Sequence, residues 1–93
     1  MRLDLFLKVA RLCLRRTVAQ QLCDAGLVSI NGRTAKSSHA VKIDDQIELR
    51  IRNKRLTIRV TKIPTTRSVV RSEATNLYES IGEEVLEKEG LWS

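Results

Sequence analysis

Between Ile47 and Thr61 the chain alternates apolar and polar residues twice in succession. Ile47, Leu49 and Ile51 interleave with Glu48, Arg50 and Arg52, and Leu56, Ile58 and Val60 interleave with Thr57, Arg59 and Thr61. Period-two alternation is the mark of a strand with one buried face. Two such runs, parted by a reversal around Asn53-Lys54, predict an antiparallel hairpin with a single apolar face. Upstream, Val28 and Ile30 alternate with polar neighbours and run into Asn31-Gly32, the signal of a two-residue hairpin turn. Val41 and Ile43 lead to a further expected turn at Asp44-Asp45. A small antiparallel sheet therefore needs an apolar cover, and 93 residues have room for one core.

The cover lies at the N-terminus. Leu3, Phe6, Leu7 and Ala10 recur at helical spacing and predict a helix over about Arg2 to Leu12. Leu5, Val9 and Leu12 form a second apolar flank, which leaves one polar strip of Asp4, Lys8 and Arg11, with Arg15 in line if the helix runs so far. Asp4 is expected to favour the positive helix start and to pair with Lys8. After a break near Leu14 to Arg16, a second helix is expected over about Thr17 to Ala25. It would bury Val18, Ala19 and Leu22, expose Gln20, Gln21 and Asp24, and stop at Gly26. Near the C-terminus Ala74, Leu77, Tyr78, Ile81 and Val85 again have helical spacing. They predict a short helix behind Ser72 as N-cap, weakened by Gly82 and fraying beyond about Glu87. The expected fold class is α+β, a two-helix unit on a small antiparallel sheet with a short C-terminal helix. The division expected is a domain over 1–63 and a linker with acidic tail over 64–93.

Charge is divided along the same line. Residues 1–72 carry sixteen Lys or Arg against five Asp or Glu, a net +11, whereas residues 73–93 carry one Lys against six Glu, a net −5. A basic domain of this kind attracts polyanions, phosphate backbones above all. The acidic tail is expected to shield the basic face when no nucleic acid is bound. Cys13 and Cys23 are too far apart for a metal-binding Cys-x-x-Cys pair and are expected as buried free thiols. His39, the sole histidine, has no companion for a metal site or a triad. Neither catalysis, a cofactor nor a metal is expected. No apolar run approaches the ~20 residues of a membrane span, and Asp4 and Lys8 interrupt the first apolar stretch in a way unlike a signal peptide. A cytoplasmic location without membrane contact is expected.

In order, the chain shows Arg2-Leu3-Asp4, Leu7, Arg15-Arg16, Ala19, Leu22, Gly26, Val28, Ile30-Asn31-Gly32, Val41, Asp45 and Ile47. This series resembles the S4 domain, the RNA-binding module named after ribosomal small-subunit protein four, over about residues 1–50. The resemblance implies a helix pair on a small sheet (the αL motif), with RNA on the helical face. It places Arg2, Lys8, Arg11, Arg15 and Arg16 against phosphates, Lys36 at the border, and Asn31 and Gly32 as turn residues. Two positions depart from the family. Arg15 stands where a Ser usually caps the second helix, and Asp44 stands where Gly is favoured. Met1 to Leu12, followed by Arg15-Arg16-Thr17, is similar to the free-standing heat-shock-protein-fifteen / RqcP family, and the acidic tail with Ala74 and Tyr78 to its RqcP branch. That resemblance implies docking on large ribosomal subunits obstructed by peptidyl-tRNA. The implied partners are large-subunit rRNA, tRNA and an RqcH-type factor that adds C-terminal alanine tails, with the protein a monomer when free. Two other readings stand beside it, a general rRNA assembly factor or RNA chaperone and a protein-interaction module working through the acidic tail. Charge reversal at Arg16 is expected to separate them, abolishing ribosome binding with the fold intact only if RNA is the ligand.

Overall fold

The two alternating runs form the hairpin that they predict. The computed structural model describes residues 1–51, 53–64 and 74–85. Along the chain these form α1 (Leu3–Val9), α2 (Arg16–Asp24), β1 (Val28–Ile30), β2 (Arg33–Thr34), β3 (Gln46–Ile51), β4 (Lys54–Val60), a 3-10 turn (Thr75–Leu77) and β5 (Tyr78–Val85). The fold is α+β: one antiparallel sheet in the order β2-β1-β3-β4-β5, with the helix pair across it. Register lines up two apolar rows, Val28-Leu49-Leu56 and Ile30-Ile47-Ile58. Leu3, Phe6 and Leu7 of α1 and Ala19 and Cys23 of α2 close over them, and α1's three large side chains are fully buried. Each such side chain removed from water contributes about 1.5–3 kcal/mol, so this contact holds the layers together. Cys13 and Cys23 are free and buried. Burial pushes both thiols up, Cys23 to about 11 with help from the charge of Asp4, so neither is a thiolate at neutral pH.

Both helices end in the same hydrogen-bond pattern, and this shortens the first one. After α2, Gly26 takes φ +76° and the Leu27 and Gly26 N–H groups donate to Leu22 and Cys23 carbonyls. That is the Schellman ending expected of glycine. After α1, Arg11 takes φ +61°, and the Leu12 and Arg11 N–H groups donate to Leu7 and Lys8. The expected helix to Leu12 therefore stops at Val9. Turning the chain there lays Cys13 and part of Leu12 against the core, which a straight helix would carry away from it. Val18, expected inside, is 39% exposed on α2. Position 15, without the usual Ser, makes no side-chain cap on α2.

The two expected turns hold. Asn31 and Gly32 take φ +53° and +87°, the left-handed pair of a type I′ turn. The Asn31 side chain also accepts the Gln46 N–H at 3.0 Å and donates to Asp45 at 3.1 Å, tying the β1–β2 turn to β3. Asp44 takes φ +76°, a conformation Asp tolerates better than most residues. Ile43 beside it is exposed.

The expected C-terminal helix is replaced by a 3-10 turn and β5, which pairs antiparallel with β4. Residues 78–85 thus belong to the sheet of the basic domain, whereas Ser72 and the segment beyond Glu87 lie outside the described residues. A register shift at Thr57/Ile58 leaves Ile81 as the extra residue of β5. Glu79 and Glu84 are five apart and would point to opposite faces of a regular strand. The bulge resets the alternation, so Glu79 meets Arg59 while Glu84 meets Arg55. Lys54–Glu83, Arg55–Glu48 and Arg59–Asp44 extend this ladder. The acids of β5 neutralise β4, not the helical face that they were expected to shield.

Candidate nucleic-acid interface

The Arg-Leu-Asp opening places Arg2 as the N-cap of α1 and Asp4 in its first turn. The loop before β3 closes this helix start. His39 and Ser37 carbonyls accept the Leu3 and Asp4 N–H groups at 2.8 and 3.1 Å, and Met1 accepts from Val41 at 2.9 Å. Arg2 and Ala40 form an isolated bridge. Lys36 is thereby carried on the strap that binds the start of α1.

Asp4 is not on an exposed strip. Its side chain is 0% exposed, while those of Arg2 and Arg16 are 48% and 34% exposed. Arg2 donates from Nε to Oδ1 at 3.3 Å and from Nη2 to Oδ2 at 3.2 Å. The Leu5 N–H donates to Oδ1 at 2.7 Å and Gln20 Nε2 to Oδ2 at 2.8 Å. Arg16 Nε, itself buried, lies 3.2 Å from Oδ2 as a charge partner, without hydrogen-bond alignment. Burial pushes the Asp4 carboxyl up, but the bonds from Gln20 and Leu5 and the adjacent Arg16 guanidinium outweigh it, leaving the pKa below its usual value. Asp4 is a buried anion whose arginine partners have partly exposed side chains. Its expected pairing with Lys8 gives way to these.

This geometry joins the starts of both helices. Arg2 and Arg15 occupy the N-cap positions of α1 and α2 without side-chain caps, and Arg16 is the first residue of α2. Helix N-termini carry partial positive charge, so two dipole ends and two arginines, Arg2 and Arg16, share one buried carboxylate. The expected strip of Asp4, Lys8 and Arg11 dissolves because α1 ends at Val9. Arg2 and Arg16 are brought together through Asp4. Lys8, Arg11, Arg15 and Lys36 stand exposed outside that network. Sequence reasoning missed Gln20, expected to face outward. The available signal was Asp4 itself, a carboxylate between Leu3 and Leu5 that needs a donor from the second helix.

Two consequences follow. Reversing Arg16 would set a second carboxylate against buried Asp4, so that variant cannot leave the fold intact as expected. Arg11→Gly has the opposite character. Glycine relieves a left-handed residue at a helix C′ position and is expected to change stability by less than about 1 kcal/mol, in the favourable direction. The same substitution removes a cation from the interface. Thermal melts beside RNA-binding isotherms check the pair: tighter or unchanged binding with a raised Tm would remove Arg11 from the interface.

Residues 1–47 match the S4 domain family. Over 88 residues the chain is 42% identical to the RQC P-site tRNA stabilizing factor of Streptococcus pneumoniae, covering 95% of this chain and 98% of that one. The protein of the same name from Bacillus subtilis is 44% identical over 86 residues, covering 92% and 98%. The trimeric structure of Vibrio cholerae heat shock protein 15 superposes with a TM-score of 0.79 at 38% identity, over 86% of this chain and 80% of that one.

Proposed function

The chain belongs to the S4 domain family, together with the RQC P-site tRNA stabilizing factors and heat shock protein 15, and from that membership we propose that it binds RNA on the ribosome in quality control of stalled translation. The surface contacted is large-subunit rRNA with an adjacent peptidyl-tRNA. The protein holds that tRNA in place between elongation steps, in support of an RqcH-type factor adding C-terminal alanines. It acts as a cytoplasmic monomer that positions RNA and does no chemistry itself.

The observation that supports this reading best is the Asp4 network. A buried carboxylate holds Arg2 and Arg16 at the joined helix starts, with their side chains still 48% and 34% exposed, so two positioned guanidinium groups keep surface for a phosphate. Planar forks suit paired phosphate oxygens, and orientation before binding lowers the entropic cost of docking. Double-stranded RNA is recognised chiefly by shape and backbone. Of the described aromatics, Phe6 is wholly buried and Tyr78 packs on the core, which favours phosphate contact over base stacking. Lys8, Arg11, Arg15 and Lys36 extend the contact as exposed charges.

The test uses cations that hold nothing in the fold. Lys8→Ala, Arg15→Ala and Lys36→Ala combined should leave the melting temperature unchanged. The variant should leave the large-subunit fraction of a sucrose gradient, where wild type travels with peptidyl-tRNA. Three lost phosphate contacts should flatten the slope of log affinity against log salt by about 2 to 3. An unchanged slope would remove these residues from the interface. Wild type on small subunits or free RNA would remove the quality-control role and leave an RNA-binding module.

A further inference from the structure

The Asp4 network holds one group whose hydrogen-bonding capacity is still open. Gln20 stands one turn after Arg16 on α2, on the same face of the helix. Its Nε2 donates to Asp4 Oδ2 at 2.8 Å, the oxygen that Arg2 Nη2 and Arg16 Nε also approach at 3.2 Å. The amide therefore lies beside both guanidinium groups. A carboxylate only accepts, so it holds the amide with its NH2 group inward and its oxygen turned away. The Gln20 side chain is half-buried. No group among the described residues donates to its Oε1, which stays open to solvent where Arg16 Nε does not.

The chemistry of the neighbours narrows what that oxygen meets. Guanidinium groups donate and do not accept, and the Asp4 side chain is 0% exposed. Gln20 Oε1 is thus the one side-chain acceptor that the network leaves at its surface. A phosphate diester only accepts, so it satisfies Arg2 and Arg16 and offers Oε1 nothing. The ribose 2′-hydroxyl is a donor, and it stands next to the phosphate carried on the 3′ oxygen of the same sugar. On an A-form helix these hydroxyls line the wide, shallow minor groove. DNA has no such donor.

We propose that Gln20 is a specificity-determining residue, whose Oε1 accepts a hydrogen bond from a ribose 2′-hydroxyl beside a phosphate held by Arg2 and Arg16. The arginines supply attraction to any phosphate backbone, and the amide oxygen selects RNA. Asp4 then positions three groups at once, two donors for the phosphate and one acceptor for the sugar. The inference rests on RNA docking at the helix starts, and it adds the atom that tells ribose from deoxyribose.

Titration of the full chain with an RNA hairpin, beside the same hairpin carrying 2′-fluorine throughout its stem, tests this assignment. Fluorine preserves the A-form but donates no hydrogen. Wild type should bind the hydroxyl hairpin about three- to tenfold more tightly, the range of one hydrogen bond. Gln20→Lys still donates to Asp4 but has no acceptor, and it should bring that ratio to one. Gln20→Met should do the same without adding charge. A merely structural Gln20 would change the affinity for both hairpins alike and leave the ratio standing. Equal binding of the two hairpins by wild type, or a ratio that survives either substitution, overturns the role of Gln20 and leaves RNA docking in place. Failure of wild type to bind either hairpin would overturn RNA docking itself, and the role of Gln20 with it.

Discussion

Asp4→Asn is expected to destabilise the protein by about 1–3 kcal/mol and to weaken its RNA binding in the same step. The carboxylate takes donors from Arg2, Leu5 and Gln20 on its two oxygens, with Arg16 at 3.2 Å. An amide has one acceptor oxygen and turns an NH2 group toward donors that need an acceptor. The two bonds on Oδ2 are lost, leaving Arg2 Nη2 and Gln20 Nε2 facing an NH2 group, and the buried Arg16 Nε loses its charge partner. For a domain of this size each kcal/mol moves Tm by about 4–8 °C. The two arginines also relax toward water, which is why the loss stays below that of a fully buried ion pair. Their guanidinium forks are then no longer held in place, so affinity for RNA should fall even at temperatures where the variant is folded.

The pH dependence separates this account from a simple packing defect. The folded-state pKa of Asp4 lies below its ordinary value. Its stabilisation is therefore complete above the unfolded carboxylate pKa of about 3.9 and is lost as pH falls through the lower folded value. The difference in stability between wild type and Asp4→Asn should stay level from about pH 7 to pH 5 and shrink below about pH 4. Thermal melts of both proteins across that range measure it. A difference that persists undiminished at low pH would mean that the charge of Asp4 is not what holds the network.

Truncation after Pro64 is expected to abolish the folded state rather than to release an RNA-binding face from an acidic shield. It removes β5, the outer partner of β4, and bares the edge of a strand rich in apolar residues. It also removes Leu77, 2% exposed in the core, whose carbonyl accepts the Thr61 and Lys62 N–H groups. Leu77→Ala in the full chain isolates one part of that loss and should cost about 2–5 kcal/mol, a large share of a typical total of 5–15. Denaturant unfolding of Leu77→Ala and circular dichroism of the truncated chain provide the measurements. A truncated chain that stays folded and binds RNA more tightly at low salt would restore the shielding reading.

The error over residues 78–85 has an instructive cause. Leu77, Tyr78, Ile81 and Val85 fall at helical spacing, yet only Leu77 and Tyr78 pack on the core while Ile81 and Val85 are 46% and 50% exposed, so the four do not share one buried face. β4 offers an open row of backbone groups and three cations, Lys54, Arg55 and Arg59. A segment carrying Glu79, Glu83 and Glu84 satisfies both at once. The charges were visible in the sequence, but they become informative only once β4 is known to be an edge.

Local rules determined a good deal unaided. Alternation defined β3 and β4, Asn31-Gly32 defined a turn, Gly26 ended α2, and Leu3, Phe6 and Leu7 marked the core, because each depends on the geometry of its own few residues. Tertiary structure decided the rest. Arg11 left the helix because Leu12 and Cys13 had a core to turn back to. Gln20 faced inward because a buried carboxylate was there to receive it. Asp4, a surface acid by its spacing on one helix, became the anchor of the candidate site when α2 and the 36–41 strap closed over it. Periodicity tells a residue which face of its own element it occupies, whereas the burial of a charge is set by neighbours far away in the chain.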